Sequence, residues 1–141
     1  MQKTEKLEEM MSSLDEFLKG YFEAMGFTAT TDDEEEKALW TSSYSAEDVL
    51  KVIPEDSFKS LCEDCVGFLM ECWKAGQTEI LSNMNRAGSH FHYTRNGHGT
   101  GFWEGEWENG DALSGIAEVY GTAELWGQQG EEGPSECYIC N

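Results

Sequence analysis

Gly88–Trp107 reads GSHFHYTRNGHGTGFWEGEW, and the reading of this stretch decides the fold. It holds all three histidines of the chain, one of its two arginines and five of its fifteen glycines. His90 to Arg95 alternates and carries aromatic and β-branched residues, a pattern that predicts a strand. Asn96-Gly97 follows, and because both residues tolerate positive φ this pair is the strongest short-range hairpin signal. Gly99 and Gly101 let the loop bend freely. Phe102 to Trp107 then predicts a return strand, with Trp103, Gly105 and Trp107 on one face and Glu104, Glu106 and Glu108 on the other. Alternate residues on a strand stand about 6.6–6.8 Å apart, a spacing similar to that of neighbouring phosphates along a nucleic-acid strand. The simpler use of such a carboxylate ladder is to keep a strand edge soluble and to block edge-to-edge pairing.

Around that hairpin the chain predicts a single α+β domain over residues 1–126 and a mobile C-terminal tail over residues 127–141. Three to four helices are expected to pack on one face of a small antiparallel sheet centred on the 90–107 hairpin. Residues 1–26 form the N-terminal helical part. Its helix runs from Glu5 to Met25, capped by Thr4, and Leu7, Met10, Met11, Leu14, Phe17, Leu18, Tyr21, Phe22 and Met25 recur at three- and four-residue steps. That stripe suits a core; it is also wide enough for a homodimer seam. Residues 27–44 are an acidic linker whose run Asp32–Glu36 lacks the spacing and central glycine of a calcium loop. Leu39 and Trp40 after it are expected to be buried.

Residues 45–87 form a helical part. Ser45 with Asp48 makes a capping-box-like start for a short helix. Pro54 opens a longer one, about Glu55 to Ala75, which Gly76 ends. A shorter helix, about Thr78 to Asn85, follows. Residues 88–126 complete the domain: the hairpin, a helix from Ala112 to Tyr120 closed by Gly121, and a third strand from Thr122 to Trp126. Ser135 to Asn141 is left between disorder and a short edge segment.

Net charge is the outstanding bulk property, at −19 with nine basic and 28 acidic side chains. No Lys or Arg follows Arg95, while nine acidic residues do. Such a surface repels nucleic acid and anionic membranes and attracts basic protein surfaces, so direct nucleic-acid binding, which needs a basic footprint, is excluded. Halophilic adaptation competes as an explanation of the acidity, though the five cysteines and the aromatic content argue against it. No membrane-spanning run and no secretion signal is present, and the odd cysteine count predicts reduced thiols in a cytoplasm.

The decamer Thr94-Arg95-Asn96-Gly97-His98-Gly99-Thr100-Gly101-Phe102-Trp103 resembles the TRNGHGxGFW core of a family of small acidic proteins encoded by bacteriophages and other mobile elements. Weaker matches extend upstream through Ala38–Ser42, Tyr44-Ser45 and Glu63-Asp64-Cys65. The chain departs from the family at His90 and His92, where an acidic residue and a tryptophan are commoner, and in its cysteine-bearing tail. No agreed activity carries over. The resemblance implies a phage-type accessory protein working inside a bacterial host cell.

Candidate chemistry divides in two. Glu104, Glu106, Glu108 and Asp111, with Trp107 as an anchor, are the candidate partner-binding residues, facing a basic, nucleic-acid-binding host protein such as a defence enzyme. Arg95, Asn96, Gly97, His98, Gly99 and Gly101 form the motif loop, where Arg95 and His98 with Glu104 are the alternative, a small catalytic or ligand-binding group. The preferred use of Arg95 and His98 is to hold the loop through hydrogen bonds to backbone carbonyls. His90 and His92 fall on one strand face, from which two imidazoles can chelate a metal. The pairs Cys62/Cys65 and Cys137/Cys140 carry four thiols of the kind that bind zinc. The first pair lies in a predicted helix whose stripe also explains it, and turn glycines are lacking. No metal, cofactor or catalytic residue is assigned, and no phosphate-binding loop or activated nucleophile is recognisable.

Overall fold

A computed structural model of the protein describes residues 2–31, 39–40, 44–130 and 133–141. Among them six α-helices and three strands follow in the order α1 (Gln2–Ser12), α2 (Leu14–Thr28), β1 (Thr30–Thr31), α3 (Ala46–Val52), α4 (Glu55–Lys74), α5 (Met84–Arg95), α6 (Gly110–Glu118), β2 (Glu124–Gly130) and β3 (Gly133–Cys140). Short 3-10 turns at Glu79–Ser82 and Phe102–Glu104 flank α5. The fold is α+β, but it carries more helices than three to four. The sheet is mixed: β1 runs parallel to β2, and β2 antiparallel to β3. No helix among the described residues is long and apolar enough to cross a membrane.

The predicted 90–107 hairpin is replaced by a helix and a loop. Asn83 opens α5 by accepting the Arg86 amide at 3.1 Å. The window's aromatics and histidines then fall at helical spacing, with Ala87, Gly88, Phe91, Thr94 and Arg95 buried against the core. Asn96-Gly97 serves as a helix C-terminal cap instead of a hairpin turn. Gly97 takes φ +68°, its amide donates to Thr94 O at 3.2 Å, and the His98 amide donates to Tyr93 O at 3.0 Å. The same tolerance of positive φ that favours a two-residue turn also favours this helix ending, and burial settled which one formed.

Helix α5 sits at the centre because two glycines let α2 reach it. A Cβ on Gly88 would lie 1.9 Å from Phe17 O, and one on Gly20 would lie 1.8 Å from Asn85 O. The two backbones are therefore in contact, and Ser89 Oγ bridges them by donating to Gly20 O at 3.0 Å. Over this crossing Phe68 of α4 stacks on Phe91 at 4.4 Å, with Phe17 and Phe102 packed beside them at 5.9 Å and 5.7 Å from Phe68.

Elsewhere the sequence patterns translate with smaller changes. The N-terminal helix starts before Thr4 and breaks at Ser13 into α1 and α2, and α2 continues past Gly26 to Thr28. Met10, Phe17, Tyr21, Phe22 and Met25 are buried in the chain's own core. Ser45 and Asp48 form the capping box in both directions. Leu39 is buried and Trp40 half-buried, while residues 32–38 of the acidic linker lie outside the described residues. Ser135 to Asn141, left between disorder and an edge segment, falls largely in β3, which pairs Leu125 with Ile139 and Trp126 with Tyr138.

Candidate functional site

The motif brings the end of α5 against the end of α6 and the start of β2, and its polar side chains hold that junction together. Arg95 is the keystone, with its side chain only 2% exposed. Nε donates to Gly121 O at 2.7 Å, Nη2 to Tyr120 O at 3.0 Å and Nη1 to Tyr21 Oη at 3.0 Å. Nη2 also pairs with Asp64 Oδ2 at 2.9 Å, and the guanidinium lies 5.3 Å over the Phe91 ring. Tyr120 and Gly121 follow the end of α6, where no helical donor reaches their carbonyls, and the planar fork supplies two donors at once. Arg95 does bind backbone carbonyls, as expected, but those after α6 and not those of the glycine loop.

Asn96 completes the clamp. Its Oδ1 accepts from the Ala123 amide at 2.7 Å while its Nδ2 donates to Ala123 O at 3.3 Å and His92 O at 2.9 Å. Thr94 Oγ1 accepts from the Phe102 amide at 3.1 Å, which returns the loop to the core. His98 Nε2 lies 2.7 Å from Glu124 Oε1 but is not aligned with it as a hydrogen bond. Both side chains are about one-third exposed, so the contact is weak.

The two histidines upstream are corrected from a metal-chelating strand pair to two separate core groups on α5. His92 is fully buried, and Nε2 meets Thr28 Oγ1 at 2.7 Å. Its Nδ1 stands 3.3 Å from Asn96 Nδ2. Burial, with Arg95 and His98 nearby, pushes its pKa down to about 3, so the ring is neutral. His90 Nδ1 accepts from Trp107 Nε1 at 2.9 Å, and burial lowers its pKa also.

Trp107, expected to be a surface anchor, is thereby corrected to a core residue, 7% exposed and packed edge-on to Phe102. Trp103 takes the exposed role at 43%. The strand ladder of Glu104, Glu106 and Glu108 does not form, because these residues lie on a 3-10 turn and the loop after it. Glu104 accepts the Gly101 amide at 3.0 Å, and Glu106 pairs with Arg86. Glu108 and Asp111 are exposed and carry no side-chain bond or ion pair among the described residues. The loop that presents them is fixed from beneath by Glu79, whose two carboxylate oxygens accept from the Glu108 and Asn109 amides at 2.8 and 2.7 Å. Gly110 lets the chain pass where a Cβ would lie 2.3 Å from Phe102 O.

Together these residues shape a notch of about 430 Å³ bordered by Trp103, Glu108 and Asp111, with Phe102 and Trp107 behind it. An aromatic face beside two open carboxylates suits the side chain of a lysine or arginine. Sequence reasoning missed Trp103, Glu79 and Arg86 here, since none carries a local signal for its role.

The cysteines divide between α4, which holds Cys62, Cys65 and Cys72, and β3, which holds Cys137 and Cys140. Burial pushes the Cys65 thiol far up and Cys72 up to about 12, which disfavours the nucleophilic thiolate at neutral pH. Among the described residues no group of three or more His, Cys, Asp or Glu side chains could hold a metal ion. Comparison with protein-family models, with curated proteins and with solved structures finds no match.

Proposed function

We propose that this chain is a non-enzymatic acidic protein that docks onto a basic, nucleic-acid-binding surface of another protein and occupies it. The observation that carries this reading is the division of labour within the motif. Thr94, Arg95 and Asn96 are turned inward onto the backbone, and what remains facing solvent beside them is Trp103 with Glu104, Glu108 and Asp111. Arg86 answers only Glu106 there. A partner that normally holds phosphates would meet carboxylates in the same sense of charge and would gain from released counterions, as with nucleic acid. The geometry differs from a regular mimic of a phosphate chain, because the carboxylates are set around a notch and not along a strand.

The resemblance of Thr94–Trp103 to proteins of bacteriophages supports a host defence or nucleoid protein as the partner, met in the bacterial cytoplasm. The alternative, a catalytic or ligand-binding group at Arg95 and His98, is weakened by the geometry of Arg95, whose guanidinium is already ringed by Gly121 O, Tyr120 O, Tyr21 Oη and Asp64. The test is capture from a nuclease-treated bacterial lysate on the immobilised protein, with elution by a salt gradient and identification by mass spectrometry. One dominant basic, nucleic-acid-binding protein released at moderate salt is the expected result. Capture of nothing beyond the blank would overturn the proposal and return attention to the loop.

A further inference from the structure

A groove that shares no lining residue with the notch is not used by the proposed function. It measures about 680 Å³ and runs between α2, α3 and the start of α4. Its floor is Phe22, stacked on Phe58 at 5.6 Å and 14°, and its far wall is Leu50, which is 39% exposed although it is a leucine on a short, well-capped helix. Leu18 forms the near wall. The walls are held in place: the Ser45–Asp48 box fixes the start of α3, and Tyr44 Oη ties the entry to α3 onto Glu23 O at 2.9 Å.

Two features identify the occupant. The lining residues of α2 are Asp15, Leu18, Lys19, Phe22 and Glu23, positions i, i+3, i+4, i+7 and i+8 of one helix face. They extend over roughly 12 Å at the rise of a helix, a length that matches two turns of a helix laid into the groove. The rim is net acidic, with Asp15, Glu23 and Glu47 against the single Lys19. A small apolar ligand would use the floor and leave the rim unanswered. We infer that this groove is a second docking site, and that it takes an amphipathic helix of a partner protein, apolar on the inserted face and lysine- or arginine-rich along its flanks. Helix-in-groove recognition works this way, with apolar anchors one helical turn apart. The inference rests on the reading that the protein acts by binding a basic partner, and it adds a separate surface to it.

The probe is a synthetic helical peptide of about 16 residues, long enough to hold two or more turns, with leucines on one face and lysines elsewhere. Its control is a permuted peptide of identical composition whose leucines share no face. Both are titrated into 15N-labelled protein and followed by amide chemical shifts. Preference for the amphipathic peptide by about tenfold, with shifts confined to α2, α3 and the start of α4, is expected. Leu50→Ser should weaken it about tenfold, since burial of a leucine side chain is lost. Glu47→Lys should weaken it severalfold, and added salt should reduce that difference. Equal binding of both peptides with shifts at residues 103–111 would overturn the groove and leave the acidic notch as the only docking surface. Binding by neither peptide would also overturn the groove, while the notch is judged separately by the lysate capture.

Discussion

Removing Arg95 separates a structural motif from a catalytic one. Arg95→Ala deletes a buried guanidinium that serves Gly121 O, Tyr120 O, Tyr21 Oη and Asp64 Oδ2. Hydrogen bonds from a charged donor contribute about 1.5–3 kcal/mol each, and a buried acceptor left unpaired costs about 1–3 kcal/mol. Part of this loss is recovered, because Asp64 is one-third exposed and a cleft of about 590 Å³ beside Tyr120 and Gly121 can admit water. The net expectation is a loss of about 3–5 kcal/mol, within the range for breaking a buried ion pair by removing one partner. Domains of this kind have about 5–15 kcal/mol in total, so the variant should be folded only marginally. Arg95→Lys keeps the charge and its contact with Asp64, but an ammonium cannot reach the three other acceptors at once. About 2–3 kcal/mol should still be lost. Urea unfolding read by tryptophan fluorescence measures both, with Trp107 as the buried reporter. If both variants unfold at the wild-type midpoint, the clamp contributes nothing to stability, and Arg95 becomes available for a ligand.

Three further expectations follow from the geometry. Gly88→Ala gains about 1 kcal/mol of helix propensity, yet its Cβ would collide with Phe17 O at 1.9 Å, so melting should show a net loss of about 2 kcal/mol or more; Gly115→Ala, which meets nothing within 4 Å, should instead be stabilising, and a like sign for the two would refute the close crossing. His92 has a folded pKa pushed from 6.5 to about 3. The unfolded ring takes up a proton below about pH 6.5 while the folded ring refuses it, so this contribution is full above pH 6.5 and is lost as the pH falls towards 3. Between pH 7.5 and 5 the loss is about 2 kcal/mol, and urea titrations should show the stability gap between wild type and His92→Gln narrowing by that amount; a constant gap would mean that His92 is not buried neutral. His98→Ala should cost under about 1 kcal/mol, as expected for a partly exposed pair with Glu124, and should leave partner capture intact, whereas loss of capture with an unchanged melting temperature would place His98 at a binding site.

Where a single residue's local demands matched its final place, the sequence was readable. Ser45 and Asp48 announce a helix start that needs no distant contact, and the structure forms that cap. Gly76 and Gly121 close helices with φ of +72° and +71°. The long apolar stripe of α4 behaves likewise, because a core-facing period of 3.6 over 20 residues has few alternatives.

Local signals failed where two structures satisfied them equally. In His90–Arg95 the aromatics suit a strand, yet nearly every residue is buried, so alternation carries no information and the helix is chosen by the Gly20–Gly88 crossing. Asn96-Gly97 ends a helix or turns a hairpin with similar ease. The C-terminal Gly/Gln/Glu-rich stretch forms β2 and β3 because Leu125 meets Ile139 and Trp126 meets Tyr138 across the ladder, a long-range match that no short window displays. The candidate site followed the same pattern. Arg95 and Asn96 are recognisable as important, but the backbone partners they bind after α6 lie about 25 residues away on the chain. Trp107, expected as a surface anchor, is buried, and Trp103, which had no role of its own in the sequence reading, is the exposed one.

On the reading proposed above, the notch of Trp103, Glu108 and Asp111 docks a basic partner. The most direct test is quantitative lysate capture by wild type and by a variant combining Trp103→Ala, Glu108→Lys and Asp111→Lys, with matched melting temperatures confirming that both are folded. All three side chains are exposed, so the substitutions leave the core in place. The basic proteins released by salt from the wild type should be absent from the variant. Equal capture of the same proteins by both would contradict that reading.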